Sequence, residues 1–307
     1  MSNDWGSDSW GGGSFQNEQP PAPKKKSKTG LIVGLSALGL FVLVAGGSIL
    51  GGLAALNDQG SGNKPSTQND KPEVSSQFNS NDLYSAPKDM EKFLDAVGSA
   101  TVRVECTDSS GGGVSGTGWG ISLTDSATTT ADDSEPYEII TNWHVVDGCL
   151  DSKTVSIFLA DSPNTPHVAH VFNYDNSYDS GSGNGDFAIL TTATEVPTLA
   201  TAKVAPKKAQ WALAIGNPAD ADGNTLENHV SIGIISDYQA DKQWVVTSAE
   251  VNPGNSGGPL INSRGEVVAV NTFVDIRENV SGLYYSLAVS QFCNHLITCK
   301  DSDSLNW

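Results

Sequence analysis

Asn252-Pro253-Gly254-Asn255-Ser256-Gly257-Gly258-Pro259 is the stretch on which the reading of this chain turns. A serine enclosed by glycines has the backbone freedom to sit on a tight turn with its hydroxyl exposed. Its neighbouring N–H groups then point into one small space. Acyl transfer needs that geometry, because a tetrahedral intermediate carries an oxyanion that backbone donors must stabilise. The chemistry is complete only with a base and a group that orients the base. Both occur upstream, in that order. His144 lies in Thr141-Asn142-Trp143-His144-Val145-Val146, and Asp186 heads Asp186-Phe187-Ala188-Ile189-Leu190.

Around these motifs the chain reads as many short strands. Val102, Val104 and Cys106 alternate with polar residues, the pattern of a half-buried strand. Further runs occur at residues 119–123, 138–141, 155–159, 187–191, 211–215, 232–236, 244–248, 267–271 and 283–289. Separated by Gly, Asp and Asn turns, they predict an all-β domain of barrels or sandwiches. A short helix precedes them: Pro87 suits its first turn, and Met90, Phe93, Leu94 and Val97 form a stripe at helical spacing.

From about Met90 to about Ile297 the chain resembles the trypsin-like serine proteases, in particular the Deg/HtrA-type branch. The motifs around His144, Asp186 and Ser256 carry the resemblance. Weaker matches are Ala214-Ile215-Gly216-Asn217-Pro218, the run 230–236, and Gly265-Glu266-Val267-Val268-Ala269-Val270-Asn271-Thr272. It implies two six-stranded Greek-key barrels with the site between them, the first carrying His144 and Asp186 and the second Ser256. It further implies a closing helix from about Ser290; the chain ends soon after, so the PDZ domain common in HtrA-type proteins is not expected. The resemblance also implies roles: Ser256 as nucleophile, His144 as base, Asp186 as its orienter, and the N–H groups of Gly254 and Ser256 as the oxyanion hole. Zymogen-type relatives carry Asp before the nucleophile, pairing it with a freed N-terminal ammonium. Asn255 has no charge to do so, and activation by trimming is not expected.

The substrate pocket is expected around Glu250, Asn271 and Thr272. A carboxylate at Glu250, six residues before the nucleophile, would favour Lys or Arg if it formed the pocket floor. If instead it points to solvent, it carries no specificity. The resemblance also pairs Cys106 with Cys149, which leaves Cys293 with Cys299. Six residues of α-helix would hold that second pair about 9 Å apart, so the helix must end before Cys299.

Composition sets the surroundings. After Asn57 the chain carries 13 basic and 32 acidic side chains. That surface repels nucleic acid, so no nucleic-acid partner is expected. Residues 30–56 contain no charge, and these 27 residues exceed the roughly 20 that span a bilayer core. Lys24, Lys25, Lys26 and Lys28 flank the run and orient its N-terminal side to the cytoplasm. The expected organisation is a disordered cytoplasmic tail at 1–29, a transmembrane helix at 30–56, a flexible stalk at 57–86 and an extracytoplasmic protease domain at 87–307.

No cofactor or metal is expected. Asp220, Asp222, Asn224 and Glu227 offer oxygen ligands at near-alternate positions, but turn chemistry accounts for the clustering. His167 and His170 lie three apart on an extended run and face opposite sides. The expected function is a membrane-anchored serine endopeptidase acting on proteins or peptides. The alternative is a catalytically silent binding or scaffold protein of the same fold. Nothing in the sequence sets the oligomeric state.

Overall fold

The computed structural model describes residues 82–108, 111–122, 134–177, 185–220, 222–274 and 282–293. The expected tail, the transmembrane span and most of the stalk lie outside them, as does Cys299. Among the described residues no helix is long and apolar enough to cross a membrane.

Chain order is α1 (Met90–Ser99), β1 (Thr101–Thr107), β2 (Gly113–Ile121), β3 (Tyr137–Thr141), β4 (Thr154–Leu159), β5 (Ser162–Asp175) and β6 (Phe187–Thr192). It continues with β7 (Trp211–Gly216), β8 (His229–Gln239), β9 (Trp244–Thr247), β10 (Pro259–Ile261), β11 (Val267–Val274) and β12 (Tyr284–Ala288). The strands close into two barrels, β1-β2-β3-β6-β5-β4 and β10-β11-β12-β9-β8-β7, with all strand pairs antiparallel.

Strand periodicity explains why β6 and β7 read as continuous apolar runs. Successive side chains point to opposite faces, and here both faces are covered. On β6, Ala188 and Leu190 enter the first barrel's core, while Phe187 and Ile189 join a second core that also holds Trp119 and Phe292. On β7 the small Ala212 and Ala214 fill the second barrel, and the large Trp211, Leu213 and Ile215 face that same shared core. The two barrels are thus welded by the outward faces of their own strands. Helix α1 lies on this weld. Its N-cap Asp89 accepts the Lys92 N–H at 3.1 Å, and Phe93 meets Trp211 edge-on at 5.8 Å.

One further tie crosses between the barrels, from Arg103 to Glu227. Arg103 on β1 stacks over Phe158, 3.8 Å from the ring centre, and donates to the Pro163 carbonyl at 2.8 Å. Its Nε lies 3.2 Å from Glu227, just before β8. The chain before α1 is also held, which moves the start of the folded part ahead of residue 87. Leu83 accepts the Trp211 N–H at 2.8 Å, and Ser263 donates to the Asp82 carbonyl at 3.0 Å.

The expected helix from Ser290 begins as a single 3-10 turn, Val289–Gln291, and residues 294–307 lie outside the described residues. Cys106 and Cys149 are bonded, with Cα atoms 5.8 Å apart at a sequence separation of 43. Cys293 is disulfide-bonded as well. A loop that long makes the first bridge worth about 4 kcal/mol by chain entropy. Cys106→Ala with Cys149→Ala is therefore expected to lower the unfolding free energy by roughly 3–4 kcal/mol in urea titration. An unchanged midpoint would contradict it.

Candidate active site

β3 and β6 are neighbours, with Thr141 opposite Ala188. The end of one strand therefore lies beside the start of the other, and residues 42 apart in sequence meet. His144 sits in the 3-10 turn Trp143–Val145 that comes after β3, and Asp186 directly precedes β6. The carboxylate takes two bonds from the histidine: the backbone N–H to Oδ1 at 3.0 Å, and ring Nδ1 to Oδ2 at 2.7 Å. An ionised carboxylate only accepts, so Nδ1 carries the proton, and in the neutral ring the lone pair then sits on Nε2. Asp186 is nearly buried while the His144 side chain is 39% exposed, so the free nitrogen belongs to the accessible member of the pair. Asn142 braces the arrangement, its amide donating to the Asp186 carbonyl at 2.6 Å and to Thr272 Oγ1 at 3.1 Å.

The serine arrives from the second barrel, on the loop between β9 and β10. Asn252 to Asn255 form a turn closed by the Asn255 N–H to the Asn252 carbonyl at 2.9 Å. Gly254 has φ +99°. Proline followed by glycine at positive φ is the signature of a type II turn. Two further N–H groups of the loop are occupied, Gly257 by the Asn271 carbonyl at 2.8 Å and Gly258 by the Asn255 carbonyl at 2.9 Å. Those of Gly254 and Ser256 donate to no acceptor among the described residues. These are the two N–H groups that the family pattern assigns to an oxyanion. The Ser256 hydroxyl donates to the Thr272 carbonyl at 3.2 Å, not to His144. Contact with the histidine segment is nonetheless close, since a Cβ added to Gly257 would lie 2.3 Å from Thr141 Oγ1 and 2.9 Å from the Asn142 nitrogen.

Asn255 is fully buried, and its side-chain amide has no hydrogen-bond partner among the described residues. An aspartate there would be a buried charge with no counterion beside it, a costly arrangement.

The three expected pocket residues separate. Glu250 is exposed, with Asn252 Nδ2 at 3.5 Å. Burial, and then the Glu250 charge, push the Tyr284 phenol above its usual range. Thr272 lies at the site through its carbonyl. Asn271 turns into the barrel, donating to the Pro259 carbonyl at 3.2 Å and accepting from Ser286 at 3.1 Å. It supports the Ser256 loop by backbone bonds instead.

Elsewhere, the acidic loop is a turn: Asp220 accepts the backbone N–H groups of Asp222 and Asn224, and the bonds from Asn224 hold its carboxyl below the usual range. His167 and His170 find separate partners, Thr194 and Glu135. Thr117, which the sequence reading did not single out, proves central. Only the glycines on either side of it hinted at a close backbone approach.

Comparison with known proteins settles the fold's kinship. The model of a trypsin-like peptidase domain matches residues 116–270, half of the chain. The chain belongs to the trypsin-like peptidase family. Among curated proteins it is similar to HhoA of Synechocystis sp., described as a serine protease, at 34% identity over 167 residues, covering 50% of this chain and 38% of HhoA. It is also similar to a DegP-like periplasmic serine endoprotease of Chlamydia trachomatis, 32% identical over 149 residues, covering 46% of this chain and 27% of that protein. The match thus spans less than half the length of these curated relatives. Among solved structures, the serine endoprotease from Yersinia pestis superposes with a TM-score of 0.52 at 24% identity, covering 69% of this chain and 66% of that one. This supports the trypsin-like fold with its HtrA/DegP-type relatives.

Proposed function

We propose that this chain is a serine endopeptidase that cleaves proteins or peptides through an acyl-enzyme. The observation that carries the reading is the His144–Asp186 pair, bonded at 2.7 Å beside a serine whose loop presents two N–H groups with no acceptor among the described residues. Ser256 Oγ attacks the scissile carbonyl as His144 Nε2 takes its proton; the imidazolium then returns that proton to the leaving amine. Asp186 holds the ring tautomer and stabilises its charged form. The N–H groups of Gly254 and Ser256 receive the oxyanion. Before attack the hydroxyl must swing from the Thr272 carbonyl to His144, a side-chain rotation, and such bonds often tighten only with substrate bound.

The domain works outside the cytoplasm, tethered by the apolar segment 30–56. The Cys106–Cys149 bridge supports an oxidising compartment, and the lysines before residue 30 support the orientation. A fluorophosphonate probe tests both parts. Purified protein should be labelled and Ser256→Ala should not. An unlabelled wild type would favour the silent scaffold. A membrane-impermeant version should label intact cells, and labelling only after lysis would sink the topology.

A further inference from the structure

We infer that the hydroxyl of Thr117, on the first barrel, is a positioning group that holds the oxyanion turn of the second. Every polar atom of this fully buried residue is engaged. Its N–H donates to the Ser256 carbonyl at 2.8 Å, and its carbonyl accepts from Thr141 Oγ1 at 2.7 Å. Its hydroxyl donates to the Gly254 carbonyl at 2.7 Å.

The direction of that last bond is forced. The Asn217 N–H donates to the same oxygen at 2.9 Å, with the Asn217 amide at 3.4 Å. A hydroxyl has one proton and two lone pairs; with donors facing its lone-pair side, the proton is left for Gly254. Asn217 is itself fixed. Its Oδ1 accepts the Asn228 N–H at 2.9 Å, and Asn228 reaches the Gly98 carbonyl of α1 at 3.1 Å. A chain of hydrogen bonds thus runs from the helix on the weld to the oxyanion turn.

Its consequence lies in the turn's placement. Type I and type II turns interconvert by flipping the central peptide. Here that peptide joins Pro253 to Gly254, and its N–H is the proposed oxyanion donor. The Gly254 carbonyl belongs to the next peptide, which such a flip leaves in place; the Thr117 bond instead pins the turn as a whole to the first barrel and so fixes where the Gly254 N–H points. Thr117 touches no substrate; it acts through Gly254.

The inference rests on the reading of Ser256 as nucleophile, and the test separates the two. A wild type inert to peptides and to fluorophosphonate would overturn that reading. With an active wild type, Thr117→Val keeps the volume and removes the proton. It should lower kcat about 10–100-fold, the cost of a buried polar group left unpaired. KM should stay within about twofold and affinity for a peptide boronic acid should fall in step with kcat, as for a lost transition-state contact. Thr117→Ser should restore both. Unchanged kcat in Thr117→Val, or a Thr117→Ser protein as impaired as Thr117→Val, overturns the inference. Should Thr117→Val fail to fold, Thr117→Ser and Thr117→Ala, differing by one oxygen, decide it: equal kcat and equal boronate affinity refute the role.

Discussion

Asp186→Asn is expected to lower kcat by about 10⁴-fold while the fold persists, the measured cost of the same change in a trypsin-like triad. The carboxylate now accepts from both the His144 backbone and ring. An asparagine can satisfy the backbone donor with its oxygen, but its amide then faces the ring as a donor. The imidazole answers by presenting a lone pair at Nδ1, moving its proton to Nε2, where the serine proton must go. The base is thus lost without loss of packing. Steady-state kinetics with thermal denaturation would show a large drop in kcat at nearly unchanged Tm. Asp175 is the contrasting control. Its Oδ1 accepts the Ser177 N–H at 2.8 Å, which makes it a loop-forming residue, and Asp175→Asn should keep turnover within about tenfold. If Asp175→Asn is inactive and Asp186→Asn is not, the roles are misassigned.

Gly254→Ala should cost about 10²–10³ in kcat, the effect of losing one oxyanion donor. Two constraints act together. A residue with a side chain is strained at φ +99°. In addition, the new Cβ would lie 2.6 Å from Pro218 Cα and 2.7 Å from the Asn217 carbonyl oxygen. Both obstacles are backbone, so the turn itself must move and carry its N–H off target. Ser256 remains able to react slowly with fluorophosphonate, which distinguishes a damaged oxyanion site from a lost nucleophile. A Gly254→Ala protein with wild-type kcat would show that this N–H is not used.

The motif residues were legible because their geometry is local. Pro253 and Gly254 specify their turn by themselves, and His144 and Asp186 each abut an apolar strand whose pairing brings them together. Two strands escaped the reading. In β5, Pro163 and Pro166 argue against a strand, and the alternation is blurred because Val168 is exposed on the outer face while Ala169 and Val171 point inward. β10 has only three residues, too few to show a period. The expected helix from about Ser290 begins as the 3-10 turn Val289–Gln291, and the rest of its span lies outside the described residues. Thr117, and the turning of Asn271 into the barrel, depend on contacts between residues up to 137 apart; no local pattern encodes them.

Because one barrel supplies His144 and Asp186 and the other supplies Ser256, the chain leaves the ribosome as two incomplete halves. The 70 residues from Asp186 to Ser256 take on the order of 4–14 seconds to synthesise at typical rates. Once β6 is also out, at Thr192, the first barrel would hold the proposed base while the proposed nucleophile is still to come. Even after Ser256 emerges, Thr117 can engage its turn only once the barrels have closed on one another. Hydrolytic competence would then appear only as the last stage of folding, and nascent chains, including copies of this one, would be safe from an enzyme still being made.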